Sequence, residues 1–166
     1  MAELSLDKLY RMELQTQCDY ALVAFEDASK SDARRCFYFL QGFLIAVANV
    51  SKILWPLKKF EDRGSMLRAS LGIKDDSPLK SRKFRNHFEH YDERIQEWFD
   101  SPRPPGFVDC CIGGDDSFGG GLGKSHYMRN LNPQTRTLYF RGERYELEPV
   151  IAALLALRDQ LAETNI

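Results

Sequence analysis

Residues 36–50, CFYFLQGFLIAVANV, restrict the fold of this chain more than any other segment. Their only strongly polar side chains are those of Gln41 and Asn49. The run is shorter than the roughly 20 apolar residues with which a helix spans a bilayer, so we expect no membrane segment here. A helix that is apolar on nearly every side has to be buried. The segment therefore predicts a central helix of a helical bundle.

The flanking residues predict where this helix begins and ends. Ser31 and Asp32 carry side chains that cap a helix N-terminus, and Pro56 ends the helix near Trp55. Ahead of them, apolar residues recur at mostly helical spacing from Leu4 to Ala28. This spacing predicts a first, amphipathic helix that packs against the central one.

Two more helices are predicted before the proline-rich residues 101–106, SPRPPG. The first is short and covers Ser65–Leu71. The second is long, because Ser77 suits the N-cap position and Pro78 suits the first helical position. We expect it to run to about Phe99.

The sequence changes character in residues 107–148, which are rich in glycine and turn residues. Within them, TLYFRGERYEL alternates as a β-hairpin does, with a turn at Gly142–Glu143. The helical period then resumes in EPVIAALLALRDQLAE, with Pro149 near its start. The largely apolar first half of that last helix has to pack on the bundle, since no other large core is predicted.

Together these patterns predict a mainly α fold in a single domain of residues 1–166. Its helical bundle comprises residues 1–100 and 149–166. A small β-hairpin-containing insert, residues 107–148, precedes the last helix.

The composition limits the classes of partner and compartment. A formal net charge of −1 predicts no general attraction to nucleic acid, so a phosphate site would have to be a local patch. The four cysteines lack the spacing of a zinc site or a disulfide framework, which favours a reducing, cytoplasmic location. Glu3 and the absence of a long apolar run at the start argue against a signal peptide.

The glycine-rich residues 118–126, FGGGLGKSH, resemble a phosphate-binding loop only in part. Such a loop needs a glycine at the position of Phe118, and it should open a helix, which HYMRNLNPQT does not favour. We therefore expect a flexible surface loop in which Lys124 binds no nucleotide.

A metal site is also disfavoured. His87 and His90 are three residues apart, with Glu93 nearby, and could face one ion. However, the H-E-x-x-H arrangement is absent, and His126, in the insert, is the one histidine left as a further ligand. We predict no metal and no cofactor.

The predicted helix over residues 78–100 has two distinct faces when about 100° is allowed per residue. Its core face collects large apolar side chains: Phe84, Phe88, Tyr91, Ile95, Trp98 and Phe99. His87 lies at the edge of this face, which predicts a packed or interfacial histidine. A separate stripe away from the core contains Asn86, His90, Glu93 and Glu97. His90 should therefore face solvent or a partner.

The charges of this helix are unusual in their order. Four cations lie in its first half and most acids in its second half, whereas the helix dipole favours the reverse. Phosphate binding by the basic half would explain the order. Antiparallel pairing with a second copy would also explain it, and a charged face without functional meaning is the third interpretation.

The run Arg85-Asn86-His87-Phe88-Glu89-His90 resembles the R-x(4–6)-H motif of the HEPN superfamily, in a long helix between an apolar helix and a closing one. The resemblance covers residues 1–100 and the last helix, and the insert would elaborate that bundle. It implies a HEPN-like helical bundle that dimerises. It further implies a metal-independent ribonuclease of the kind found in toxin–antitoxin, abortive-infection and CRISPR-associated systems.

The residue types suit that chemistry. Histidine as a residue type can act as a general acid or base near neutral pH, so His90 would transfer protons, and Arg85 would stabilise charge on the phosphate. Asn86 would orient the ribose or His90. On an ideal helix Arg85 and His90 diverge by roughly 140°, so a two-fold dimer that brings two copies of this helix together would complete each site.

Three functions stay open. The leading hypothesis is a homodimeric, RNA-binding and RNA-cleaving protein with Arg85, Asn86 and His90 at its site, paired in some systems with an antitoxin protein. The alternative is a non-catalytic HEPN-like dimeric module that binds a ligand or partner. The third is a helical scaffold whose insert binds another protein. The enzyme requires an exposed His90 within reach of an arginine, whereas the module would bury His90.

Overall fold

The computed structural model describes residues 5–102, 108–114 and 127–164. In these residues the helices are α1 (Leu6–Ser29), α2 (Ala33–Leu54), α3 (Glu61–Ser70), α4 (Lys83–Glu89), α5 (Tyr91–Asp100) and α6 (Leu147–Thr164). The strands are β1 (Cys111–Ile112), β2 (Arg129–Asn132), β3 (Thr137–Phe140) and β4 (Glu143–Glu146). Short 3-10 turns cover Lys58–Phe60 and Pro78–Lys80.

The first two helices have the predicted limits, and their caps explain why. Ser5 Oγ accepts a hydrogen bond of 3.2 Å from the Lys8 amide at the start of α1. At the start of α2 the Asp32 side chain accepts a hydrogen bond of 3.0 Å from the Arg35 amide. The chain leaves α2 at Trp55, directly before the proline. The two helices pack closely along their length.

Helix α2 contributes more buried residues than any other described helix, but one of its faces is exposed. Its inner faces pack against α1, α3 and α4, whereas Tyr38 and Ile45 are 73% and 40% exposed. The expectation of burial on nearly every side was therefore wrong for this face. The helix extends to 22 residues and by length and composition alone is apolar enough to cross a membrane. One such helix is weak evidence for a membrane span, because the buried core helix of a soluble protein has the same length and composition. The absence of a membrane segment therefore stays a prediction.

Helix α3 approaches the end of α2 closely at Gly64. A Cβ atom at this position would lie 2.9 Å from the carbonyl oxygen of Leu54 and 2.9 Å from Cγ of Pro56. Contacts of this length require the backbone or the proline ring to move. The absence of a side chain at Gly64 therefore allows α3 to pack at this corner.

Replacing Gly64 with alanine should destabilise the protein by about 2 kcal/mol, because overpacking outweighs the helix propensity that alanine usually gains over glycine. Urea unfolding followed by circular dichroism measures the change. Ser65→Ala, on the exposed side of the same turn, is the control and should leave the free energy of unfolding nearly unchanged. A Gly64→Ala variant as stable as the wild type would contradict the close approach.

The predicted long helix of residues 78–99 is wrong. The chain forms a 3-10 turn at Pro78–Lys80, then α4, and then α5, with a break at His90, whose φ and ψ are −100° and 39°. After the break Tyr91 contacts the insert through Asp109, whereas Ile95 and Phe99 are 41% and 57% exposed. The core face was therefore predicted correctly for Phe84, Phe88 and Trp98, which are buried, and for Tyr91, which packs at the edge of the core.

The break also changes the unusual charge order. Asp92 and Glu93 lie in the first turn of α5, where the positive end of the helix dipole favours carboxylates. The cations that precede them belong to the separate, seven-residue α4 and to the turn before it. Within α4, however, Lys83 and Arg85 still lie in the first turn and Glu89 at the end, so the unfavourable order is confined to that short helix.

The predicted hairpin belongs to a four-stranded sheet in the order β1-β2-β3-β4. β1 pairs parallel to β2, and the other neighbours are antiparallel. The hairpin turn lies at Arg141–Gly142, one residue before its predicted position. Both residues have positive φ, 49° and 84°, as in the two-residue turns that match strand twist.

The sheet and the bundle share one hydrophobic core. Met128, Leu138 and Phe140 from the sheet are buried in the same cluster as α2, α4 and α6. Leu147 and Leu154 of the last helix join this cluster. The fold is thus mainly α, a helical bundle with a small β-sheet insert before the last helix, which confirms the predicted class.

Candidate functional site

The three predicted site residues lie at the junction of α4 and α5. Arg85 and Asn86 are on α4, and His90 is the residue at which α4 ends and α5 begins. Phe84 and Phe88, on the opposite side of α4, are buried and anchor the helix against the sheet. The site residues are therefore carried on a short helix with a fixed inner face.

Asn86 links the other two residues of the motif. Its side-chain Oδ1 accepts a hydrogen bond of 3.0 Å from Nη1 of Arg85. Its backbone oxygen accepts the His90 amide at 3.0 Å. Because Asn86 and His90 are one turn apart, the long Arg85 side chain reaches the side of the helix on which His90 lies. Within one chain Asn86 therefore links the Arg85 side chain to the His90 backbone.

Arg85 is neutralised by a carboxylate of the same helix. Nη1 of Arg85 forms an ion pair with Glu89, four residues along. The Arg85 side chain is only 16% exposed. The spacing of this pair is that of adjacent turns, so the sequence contained the signal for it. An anion that binds Arg85 has to compete with Glu89.

His90 is accessible at the helix break. Its side chain is 53% exposed, and Nδ1 lies 3.6 Å from a carboxylate oxygen of Glu93. The exposure confirms the prediction that His90 points away from the core. Exposure is one of the two features that the enzyme requires of His90; the other is an arginine within reach of the imidazole.

The arginines near α5 are also paired with acids. Arg94, one turn after His90, forms an ion pair with Glu97, and Nη1 of Arg141 in the hairpin turn lies 3.4 Å from the same carboxylate. These cations are partly exposed. They form a mixed-charge surface beside His90 rather than a basic patch.

His87 is a packed residue, as the sequence predicted. Its ring stacks on Phe140 with centroids 4.7 Å apart, and Nε2 lies 3.0 Å from Glu143 in β4. Lys83 pairs with the same carboxylate. Burial alone would raise the pKa of Glu143, but the hydrogen bonds from Lys83 and His87 outweigh burial and lower this pKa. His87 therefore joins α4 to the sheet.

No group of three or more potential metal ligands occurs in residues 5–102, 108–114 and 127–164. His87 is held by the hairpin, so it is not paired with His90 and Glu93 around an ion. His126 lies outside the described residues, as do Phe118 and Lys124 of the glycine-rich loop.

The cysteines of the described residues do not suggest a thiol nucleophile. All four are free, and burial raises the pKa of Cys18 to about 12 and that of Cys36 to about 11. A thiol with such a pKa is almost wholly protonated at neutral pH, and only the thiolate is strongly nucleophilic.

Sequence reasoning missed a network that ties the insert to the start of α5. Nε and Nη2 of Arg129 bind the two carboxylate oxygens of Asp109 at 2.9 and 2.5 Å. The Tyr91 hydroxyl donates to Oδ2 of Asp109 at 2.7 Å, and the Arg129 amide donates to Oδ1 at 3.1 Å. The guanidinium also lies over the Tyr91 ring, 4.3 Å from its centroid.

This network is internally satisfied and largely buried. The Asp109 and Arg129 side chains are 17% and 19% exposed. Burial alone would raise the pKa of Asp109, but the hydrogen bonds from Arg129 and Tyr91 outweigh it and hold that pKa below its ordinary value. Burial and the bond to Asp109 raise the pKa of Tyr91. Since Tyr91 directly follows His90, the network positions the helix break.

Comparison of the chain with protein-family models, with curated proteins and with solved structures finds no match. The resemblance to the HEPN superfamily therefore stays a prediction from the motif and its helical context. The geometry of Arg85, Asn86 and His90 is the basis on which a function can be argued.

Proposed function

We propose that this protein is a HEPN-type, homodimeric, metal-independent endoribonuclease that acts in the cytoplasm, of the kind used in toxin–antitoxin or phage-defence systems. One observation carries the proposal: His90 is exposed, and Asn86, one turn before it, accepts a hydrogen bond from Arg85. These are the groups that cleavage of RNA without a metal requires: a proton-transfer residue and a fixed cation for the phosphate.

The chemistry uses the RNA's own nucleophile. The ribose 2′-oxygen attacks the adjacent phosphorus and loses its proton, and the bond from phosphorus to the 5′-oxygen breaks. The 5′-oxygen leaves with a proton, so the products are a 2′,3′-cyclic phosphate and a 5′-hydroxyl. His90 would exchange protons with one of these oxygens, and Arg85 would bind a non-bridging phosphate oxygen, where negative charge develops. Asn86 would hold the guanidinium in place.

Productive binding requires Arg85 to exchange partners. In the free protein Glu89 occupies the guanidinium, and a phosphate would replace that carboxylate. Breaking the Arg85–Glu89 pair should cost little free energy, because an exposed ion pair on adjacent turns of a helix contributes only about 0.3–0.5 kcal/mol to stability. The partly buried position of Arg85 would strengthen the contact with either anion.

Glu89→Gln should therefore raise the affinity for RNA several-fold, because the arginine is released and one like charge is removed from the site. Fluorescence anisotropy with a labelled single-stranded RNA measures the dissociation constant. Asp92→Asn is the control. It removes one negative charge from a nearby exposed residue that has no hydrogen bond with Arg85, so it reports the effect of net charge alone. Equal effects of the two substitutions would contradict a role for the Arg85–Glu89 pair.

The proposed activity can be tested by incubating the purified protein with total RNA, with and without EDTA. Cleavage should persist in the chelator, and the 5′ fragments should end in a 2′,3′-cyclic phosphate. Dependence on a divalent ion would exclude the mechanism. Absence of cleavage with all RNAs tried would favour the second function.

The second candidate is a non-catalytic HEPN-like dimeric module that binds a ligand or a partner such as an antitoxin protein. The neutralised Arg85 and the acids around His90 favour it, since they weaken attraction to RNA at long range. In that case Arg85 and His90 would contribute to a protein interface. A dissociation constant for RNA that stays weak even in Glu89→Gln would support this function.

A further inference from the structure

A wide apolar groove runs between the outer faces of α1 and α2, away from the candidate site. Its volume is about 920 Å³, and its floor includes Ala24 and Gly42. Large side chains line its edges although they are exposed: Tyr20 (62%), Val23 (57%), Tyr38 (73%) and Ile45 (40%). Monomeric proteins rarely expose so continuous an apolar surface without a binding role.

The two helices are antiparallel, and two contacts define which residues lie side by side. Nδ2 of Asn49 donates to the Gln17 side-chain oxygen at 3.2 Å. A Cβ atom on Gly42 would lie 3.8 Å from that of Ala24. Glu13 on α1 is therefore at the height of Lys52 on α2. At the other end of the groove Asp27 is at the height of Phe39, one helical turn from Arg35.

The charges beside the groove differ in sign between the two helices. The outward carboxylates of α1 are Glu13, Asp19 and Asp27, and in the described part of the chain none of them forms an ion pair; Lys30 pairs with Glu26 instead. The outward cations of α2 are Arg34, Arg35 and Lys52, which likewise have no ion pair with a described carboxylate. The face as a whole is thus self-complementary in charge.

We propose that a second copy of this chain docks in this groove, with α1 of each chain against α2 of the other. The two-fold axis is parallel to the helices, so the heights of residues are preserved. Glu13 then meets the partner's Lys52, and the partner's Arg35 lies one helical turn from the height of Asp27, within reach of its long side chain. Tyr20, Val23 and Ile45 become buried at the centre. Each contact occurs twice, as in any isologous interface.

The charges select this arrangement over the other two-fold packing of the same face. An axis perpendicular to the helices would bring α1 against α1 of the partner. Acids would then face acids along one seam, and the cations of α2 would face each other along the second. Like charges placed across an interface oppose association. The antiparallel α1–α2 pairing is the one that joins opposite charges.

This inference goes beyond the proposed function: it places a homodimer contact on α1 and α2, whereas the candidate site was expected to pair the helices that carry Arg85 and His90. The outer side of α5 is rich in carboxylates, including Asp92, Glu93 and Glu97, which a two-fold contact there would crowd. The dimer does not depend on RNA cleavage. An inactive protein that dimerises through α1 and α2 would refute the enzyme only.

The association is tested by light scattering of the full chain over a range of micromolar concentrations. We expect a dimer for the wild type and a monomer with an unchanged circular dichroism spectrum for Ile45→Glu. Met66→Glu, at an apolar residue of α3 that is 74% exposed and outside the groove, should stay dimeric. A monomeric wild type, or an Ile45→Glu variant that remains dimeric, would overturn the proposal.

The pairing of α1 with the partner's α2 is tested by charge reversal. Glu13→Lys and Lys52→Glu alone should each raise the dimer dissociation constant about tenfold, because each places two like-charged contacts in the dimer. The double variant restores opposite charges and should return close to the wild-type value. A double variant as weak as the product of the two single effects would overturn the α1–α2 pairing.

Discussion

Replacing His90 with alanine should lower the rate of RNA cleavage by about 10²- to 10⁴-fold, the usual contribution of a general acid or base. The fold should be unaffected, because the side chain is 53% exposed and its removal opens no cavity. The measurement is the initial rate of cleavage of a defined RNA, with circular dichroism and the melting temperature as checks on folding.

Two neighbouring substitutions sharpen this test. Arg85→Ala should reduce cleavage similarly and should also weaken RNA binding, because it removes a fixed cation from the phosphate site. His87→Ala should lower mainly the stability, with a smaller loss of activity, since its ring packs on Phe140 and binds Glu143. Equal cleavage by the wild type and His90→Ala would indicate a contaminating nuclease or another site, and would favour the non-catalytic module.

Asp109→Asn should destabilise the protein by about 3 kcal/mol at neutral pH, because it leaves the partly buried Arg129 without its counter-charge. The carboxylate accepts bonds from the Arg129 side chain and amide and from Tyr91, and an amide side chain cannot accept all of them. Urea unfolding measures the change. Asp92→Asn, an exposed acid without this network, is the matched control and should have little effect.

The same substitution should have a distinctive pH dependence. The pKa of Asp109 is lowered in the folded protein, so its ionised form contributes stability above the ordinary pKa of an aspartate, and this contribution is lost as the pH falls through the folded value. The difference in unfolding free energy between wild type and Asp109→Asn should therefore shrink below about pH 4. A difference that is constant with pH would mean that the charge of Asp109 is not the cause.

The network also connects stability to the candidate site. Tyr91, which Asp109 holds, is the residue directly after His90. Loss of Asp109 should loosen the start of α5 and hence the break on which His90 is presented. Reduced RNA cleavage by Asp109→Asn at temperatures where the variant is still folded would be the sign of this coupling.

Features of short range were predictable from the sequence. The capping side chains at Ser5 and Asp32 act within three residues, so the starts of α1 and α2 are encoded locally. The apolar run in α2 and the alternation in the hairpin predict a helical bundle with a small β insert for the same reason. The exposure of His90 followed from its helical phase within α4, which extends almost to that residue.

The tertiary structure decided the features that join distant segments. No proline or glycine marks the helix break at His90 in the sequence. The break occurs where Tyr91 contacts Arg129 and Asp109, the latter 18 residues further along the chain. The extra strands exist only because β1 and β2 find partners across the insert. The outer face of α2 is apolar, so the sequence predicts that it is buried, whereas Tyr38 and Ile45 on this face are exposed. The energy of such contacts depends on which residues meet in space, whereas periodicity and caps report only neighbours along the chain.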